Sequence, residues 1–254
     1  MIQTATEAAR AAGKVIVDRY PGRRQVTIKG YRDIVTDVDR AAESVVLDLI
    51  RERFPGHAIL SEEAGGSGIG EGITWVVDPL DGTTNYAHRI PFFSVSIGVL
   101  DGGGPVAGVV RDPVREQTFA AERGGGSVLN GEAIRVSSTD HLRGAIVGFD
   151  WAHSDQVRAQ VLALLQRIAP RCGTVRGFGS AALAQAYVAA GWLDAYMSLS
   201  LRPWDVAAGM LLVAEAGGRC STVGGERCDP RHVSSFLVTN GAIHDELLAV
   251  AGGG

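Results

Sequence analysis

Cysteine is scarce in this 254-residue chain, and its three copies, Cys172, Cys220 and Cys228, form no CxxC or other ligand spacing. A disulfide scaffold is excluded, and an odd, sparse set suits free thiols in a reducing compartment. Long apolar runs are missing as well: none approaches the ~18 residues needed to cross a bilayer, so no membrane partner is expected. The opening MIQTATEAARAAGK places Glu7 and Arg10 where a secretory signal would be apolar, and a cytoplasmic protein is expected. There is no excess of one charge. The net charge is −4 without an acidic or basic tail, which leaves no electrostatic footprint for nucleic acid. The six histidines are scattered, none in HExxH or HxxxH, and carry no assigned chemistry. Internal repeats are absent. What is present is 46% apolar residues, enough for a sizeable core in one large or two small domains.

The chain begins with helical spacing: Ala5, Ala8, Ala9, Ala12, Val15 and Ile16 share a face until Pro21-Gly22. A second helix is expected from Thr36, with Asp39 three residues on as a capping-box-like pair. Its buried stripe is Val38, Ala42, Val45, Val46, Leu49 and Ile50, and Pro55-Gly56 stops it. A short strand, HAIL, leads to SEEAGG, and GSGIGEG reads as a mobile surface loop. From 92 to 136 the chain breaks into short β-rich runs, with Asn130-Gly131 as a hairpin turn, which predicts an antiparallel meander. After about 141, strands (AIVGFD, GTVRGFG, LDAYMSL, SSFLVTN) alternate with helices over about 155–169, 180–190 and 205–216, and a last short helix closes the chain. That alternation predicts a second, mixed sheet covered by helices. A layered α/β architecture in two lobes follows, residues 1–140 and 141–254, with the boundary near 138–145.

Chemistry concentrates in WVVDPLDGTTNY, residues 75–86, where an apolar strand meets two acids, Asp78 and Asp81, and then a glycine and two threonines. Acids are rarely buried without a partner. Asp37/Asp39, Glu62-Glu63 and Asp205 in PWDVAAG are further acidic spots, and each has a plain structural role on offer. Asp39 suits the first turn of a helix, Glu62-Glu63 a solvated strand end, and Asp205 an N-cap. Asp78 and Asp81 differ, because Gly-Thr-Thr offers backbone N–H groups at a helix start, an anion site beside the carboxylates. Carboxylates next to such a cradle make sense when a hard dication bridges the two, as Mg²⁺ does between acids and phosphate oxygens. Two such ions would sit about 3.5–4 Å apart in phosphoryl-transfer sites. LDGT also resembles the end of the DxDGT signature of haloacid-dehalogenase-type phosphatases, but these acids are three apart and lie far from the N-terminus.

Taken together, DIVTDVD, SEE, DPLDGTTNY, PWDVAAG and EAGG, in that order from about Asp33 to Asn240, resemble the inositol monophosphatase family of Mg²⁺-dependent, lithium-sensitive phosphatases, the superfamily of fructose-1,6-bisphosphatase. The resemblance implies a five-layered αβαβα sandwich, commonly a homodimer, hydrolysing a small-molecule phosphate ester by metal-activated water. Motif by motif, it places a first Mg²⁺ on Glu62, Asp78 and the Leu80 carbonyl. A second falls on Asp78, Asp81 and Asp205, and a looser third lies near Glu62. Catalytic roles are implied for Asp39, Glu62 and Thr83, with Asp39 and Thr83 holding the attacking water. Substrate contacts are implied at Leu80, Asp81, Gly82, Thr83, Gly179, Ser180, Ala181, Ser198 and Asp205. One position departs. Ser198 stands where the family usually has a glutamate facing inositol hydroxyls, so an inositol-1-phosphate-like polyol ester is joined by other substrates. These are histidinol phosphate, fructose-1,6-bisphosphate and 3′-phosphoadenosine 5′-phosphate, with Arg176 and Arg202 as readers of a second anionic group. A non-catalytic interaction protein is the alternative of a different class.

Overall fold

The computed structural model describes every residue except Arg23, Arg24, Ser67, Ser234, Gly253 and Gly254. Helix α1 (Ile2–Arg19) buries Ala5, Ala8, Ala9, Ala12 and Ile16, a stripe of small side chains that brings it close to its neighbours. A hairpin of β1 (Val26–Gly30) and β2 (Asp33–Thr36) follows, which the periodicity did not announce because β1 buries nothing and β2 buries only Val35 and Thr36. Thr36 then caps α2 (Asp37–Arg53): its hydroxyl accepts from the Val38 amide at 3.2 Å, and Asp39 accepts from the Thr36 amide at 2.9 Å. The inward stripe is Val38, Ala42, Val46 and Ile50, widened by Asp39, Glu43 and Leu47. Val45 and Leu49, expected in the core, are only half-buried. The helix is turned toward Asp39 and Glu43 because both carboxylates have partners inside, Thr83 and Ser61 respectively.

The first sheet has eight strands: β3 (Ala58–Ser61), β4 (Gly65–Gly66), β5 (Thr74–Asp81), β6 (Ser94–Asp101), β7 (Gly104–Asp112), β8 (Gln117–Glu122), β9 (Gly126–Leu129) and β10 (Glu132–Ala133). Their spatial order is β10-β9-β8-β7-β6-β5-β3-β4, antiparallel throughout except for β3 beside β5. The meander expected over 92–136 is β6 to β10, turned at Asn130-Gly131, where both residues have positive φ (51° and 92°). Of the GSGIGEG loop, Ser67 lies outside the described residues, and 68–72 carry no strand or helix.

The second sheet follows a short helix α3 (Thr83–Ala87) and the meander. It comprises β11 (Ile146–Phe149), β12 (Thr174–Gly177), β13 (Ala195–Ser198), β14 (Arg219–Ser221) and β15 (Phe236–Thr239), interleaved with α4 (Asp155–Ile168), α5 (Ala181–Ala189), α6 (Pro203–Glu215) and α7 (His244–Gly252). In the order β12-β11-β13-β15-β14, β11 is parallel to both neighbours and β15 antiparallel to both of its own, which is the mixed sheet expected.

Five layers result, αβαβα. Helices α1 and α2 cover the outer face of the first sheet with Trp75, Val77, Val95, Ile97 and Val99 beneath them. Helices α5 and α6 lie between the sheets, against Val110 and Phe119 on one side and Tyr196, Phe236 and Val238 on the other. Along β13 and β15 the alternate residues Ala195, Met197 and Leu237 point outward to α4 and α7, the period-two pattern of a strand buried on both faces. Helix α6 approaches the first sheet through glycine. A Cβ on Gly98 would stand 2.6 Å from the Ala207 Cβ, and one on Gly108 2.9 Å from the Ala208 carbonyl oxygen. Among the described residues no helix is long and apolar enough to cross a membrane.

Candidate active site

The strand that carries the two aspartates does not stop at Asp78. It continues to Asp81 through a bulge, since Asp78 pairs with Ser96 and Asp81 with Ser94, three residues of β5 against two of β6. Side chains three apart on a regular strand face opposite ways, and the extra residue of the bulge returns both carboxylates to one side. There they meet Asp205. One oxygen from each of Asp78, Asp81 and Asp205 lies within 4.8 Å of the others. Asp205 is not the N-cap that its sequence position suggested. Pro203 takes the first helical position of α6, where its missing N–H costs nothing, and Asp205 sits in the first turn accepting from the Arg202 amide at 2.6 Å.

These carboxylates floor a cavity of about 630 Å³, walled by the ends of β5, β11 and β13 and the starts of α3, α5 and α6. Burial, then the charges of Glu62, Asp81 and Asp205, holds Asp78 well above the usual carboxylate range. Burial and Asp81 do the same to Asp205. Burial raises Asp81 too, opposed by donors from Ser180, Ser94 and the Ala181 and Ala182 amides. None of the three has an ion-pair partner among the described residues. Three crowded, oxygen-only donors without a cation fit a hard divalent ion.

The other expected residues are placed as follows. Glu62, just after β3, lines the cavity, and burial with Glu63 beside it pushes it up to about 7 despite Lys29. Lys29, from the exposed strand β1, reaches Glu62 at 3.2 Å and Glu63 at 2.7 Å. Burial alone would lower this ammonium, but the two carboxylates outweigh it and raise it. Buried Asp39 accepts the Thr83 hydroxyl at 2.8 Å, and Thr83 also reaches the Leu80 carbonyl at 3.0 Å. Burial raises Asp39 against the donors of Thr36 and Thr83. Gly82 adopts φ 95°, a left-handed turn that starts α3, and a Cβ there would meet the Gly179 carbonyl oxygen at 2.9 Å. Gly179, Ala181 and Ser198 line the cavity. Ser180 is buried with its hydroxyl donating to Asp81, and the Ala181 and Ala182 amides donate to the same carboxylate at 3.0 and 2.9 Å. Asp81 therefore also anchors the start of α5, where anionic charge is favoured.

Arg176 and Arg202 do not line the cavity; Arg32 and Arg158 do. Sequence reasoning also passed over Lys29, Glu43 and Asp150. Glu43, on α2, accepts from the Glu63 and Ala64 amides at 3.2 and 2.9 Å and so sets the loop that carries Glu62. Asp150 follows β11 and lines the cavity, and burial pushes it up to about 6. A buried acid ending an apolar strand was its signal, the same one that singled out Asp78.

A five-layered sandwich whose cavity is floored by crowded carboxylates defines an α/β protein with a candidate metal site. The chain belongs to the inositol monophosphatase family, whose model matches residues 1–252. It is 45% identical over 223 residues to the Nus factor SuhB of Salmonella typhimurium, covering 86% of this chain and 83% of that one. An IMPase of Thermotoga maritima superposes with a TM-score of 0.89 at 34% identity, covering 98% of this chain and 95% of that one. The inositol monophosphatase-II of Staphylococcus aureus, solved with inositol monophosphate bound, gives a TM-score of 0.83 at 31% identity and covers 97% of this chain and 91% of that one.

Proposed function

We propose that this chain is a Mg²⁺-dependent phosphatase acting on a small phosphate monoester, an inositol monophosphate or similar polyol phosphate. The observation that carries the reading is the Asp78-Asp81-Asp205 cluster, crowded and without an ion-pair partner among the described residues, beside Thr83 and its hydrogen bond to Asp39. Asp78, Asp81 and Asp205, with Glu62 and the Leu80 carbonyl, are the groups that would hold two or three Mg²⁺. Bound there, the ions supply positive charge that acidifies water and offsets charge on the phosphoryl oxygens. Thr83 has given its hydroxyl hydrogen to Asp39, so its oxygen remains as an acceptor that takes a hydrogen from the attacking water and orients it. The Gly82 and Thr83 amides are assigned to the phosphoryl oxygens. The family membership and the inositol monophosphate in the Staphylococcus aureus relative support the substrate class.

Phosphate release from inositol-1-phosphate, histidinol phosphate, fructose-1,6-bisphosphate and 3′-phosphoadenosine 5′-phosphate tests this, each with Mg²⁺, with EDTA and with Li⁺. Mg²⁺-dependent release from inositol-1-phosphate, abolished by EDTA and suppressed by Li⁺, is expected. No release from any ester refutes the reading. A second reading, an interaction protein, is favoured by one finding, the naming of the Salmonella typhimurium relative as a Nus factor. A stoichiometric partner in a pull-down together with no turnover would establish it in place of the first.

A further inference from the structure

Asp150 puts a further carboxylate in the cavity wall, claimed neither by the acid cluster nor by Thr83. Strands β11 and β13 run parallel with Phe149 opposite Met197, so the residue after each, Asp150 and Ser198, stands side by side at the carboxyl ends of the two strands. Both line the cavity. The carboxyl ends of parallel strands are where open α/β sheets bind ligands. Ser198 brings no charge to that position, and Asp150 does.

The Asp150 carboxylate is held by three donors. Its Oδ1 accepts from the Phe178 amide at 3.2 Å and from the Gly179 amide, and its Oδ2 accepts the Tyr196 hydroxyl at 2.8 Å. Oδ1 has then used both lone pairs, and Oδ2 retains one. No arginine, lysine or histidine pairs with it among the described residues. The side chain is partly exposed, and the surface it shows lines the same cavity as Asp78, Asp81 and Asp205. Anchoring the 178–179 turn and Tyr196 does not require a charge. An asparagine offers the same carbonyl to the two amides and an N–H to the tyrosine oxygen. What a carboxylate adds is a fixed second acceptor at the wall facing the phosphate site.

We propose that Asp150 is a specificity-determining residue whose Oδ2 accepts a hydrogen bond from a hydroxyl on the alcohol half of the phosphate ester. The assignment rests on the phosphatase reading above. It makes a polyol the preferred leaving group, placed by the neighbouring strand although Ser198 contributes no carboxylate.

The test compares wild type and Asp150→Asn in Mg²⁺ on two esters, with melting temperatures alongside. Inositol-1-phosphate carries free hydroxyls; 4-nitrophenyl phosphate has none on its leaving group. The asparagine variant is expected to lose at least about tenfold more in kcat/KM on inositol-1-phosphate than on the nitrophenyl ester, chiefly through KM. If that variant does not fold, Asp150→Ser, smaller and uncharged, carries the same comparison. Equal losses on both esters, whatever the melting temperature, overturn the assignment and reduce Asp150 to a strut for the 178–179 turn. Wild-type turnover of the nitrophenyl ester alone also overturns it, while leaving the phosphatase reading in place. Turnover of neither ester overturns both.

Discussion

Replacing Asp78 with asparagine should abolish phosphate release and yet leave the metal-free protein at least as stable as the wild type. Asp78 is 2% exposed, and its ligand oxygen lies within 4.8 Å of those of Asp81 and Asp205. At an effective dielectric constant of about 20, two unit charges at that separation repel by roughly 3 kcal/mol. The wild type escapes part of this by keeping a proton on the cluster, which is why Asp78 is held well above the usual carboxylate range. Asparagine removes the charge but keeps an oxygen for the Leu80 amide, which Asp78 binds at 3.0 Å. No apolar contact is lost. The metal-free variant should therefore gain up to about 3 kcal/mol, or roughly 6–12 °C in Tm for a chain of this size. The gap should widen as pH rises, because a raised carboxyl stabilises the fold below its folded-state pKa and ceases to do so above it.

Magnesium should reverse the order. At a concentration about a thousandfold above Kd, bound metal adds about 4.1 kcal/mol to the wild type, more than the variant's metal-free advantage, and a variant without the shared carboxylate forfeits most of it. Calorimetry in EDTA and across a MgCl₂ series, paired with a phosphate-release assay, should show two melting curves that cross. A variant that melts well below wild type in EDTA would refute the repulsion argument. One that gains as much from Mg²⁺ as wild type would refute the placement of the ion.

Asp39→Asn should cut phosphate release at least about a hundredfold while keeping the Mg²⁺-induced rise in Tm, since Asp39 orients Thr83 and lies outside the acid cluster; loss of the metal response would refute this division of labour. Gly98→Ala should lower stability by about 1–3 kcal/mol through overpacking against Ala207, and weaken Mg²⁺ saturation because α6 also carries Asp205. Denaturant melts with and without metal check both parts. Asp150, pushed up to about 6, favours the fold below about pH 4, and that contribution, up to roughly 3 kcal/mol, is lost as pH rises through 6. Metal-free Asp150→Asn should therefore show a flatter stability profile between pH 4 and 7, and an unchanged slope would contradict it.

Much of the scaffold was legible because it rests on local rules. Thr36 and Asp39 announce their own helix, Asn130-Gly131 its hairpin, and the apolar spacing of α1 its buried face. The acid cluster was legible for a different reason: a buried strand that ends in two carboxylates asks for a cation. What escaped depends on partners distant in sequence. Lys29 sits on a strand that buries nothing, so no periodicity marks it, and only the folded chain brings it to Glu62. Asp205 carried two readings, a cap from its local sequence and a metal ligand from the motif resemblance, and the fold sets it in the first turn of α6 behind Pro203, beside Asp78 and Asp81.

Asp150 is the instructive case, since AIVGFD ends on an acid just as WVVD does. Gly-Thr-Thr after Asp81 suggested an anion site, whereas Trp-Ala-His after Asp150 suggested nothing. Its meaning lies in a register: one step beyond Phe149 and Met197, two parallel strands set Asp150 beside Ser198. A carboxylate absent from one strand can be supplied by its neighbour, because adjacent parallel strands bring positions about 4.8 Å apart to the same end of the sheet. Where a wall of the cavity is built by two such strands, the acid belongs to the wall rather than to a fixed position in the chain. Substrate preference in this fold is therefore to be read across β11 and β13 together, and Ser198 alone decides nothing.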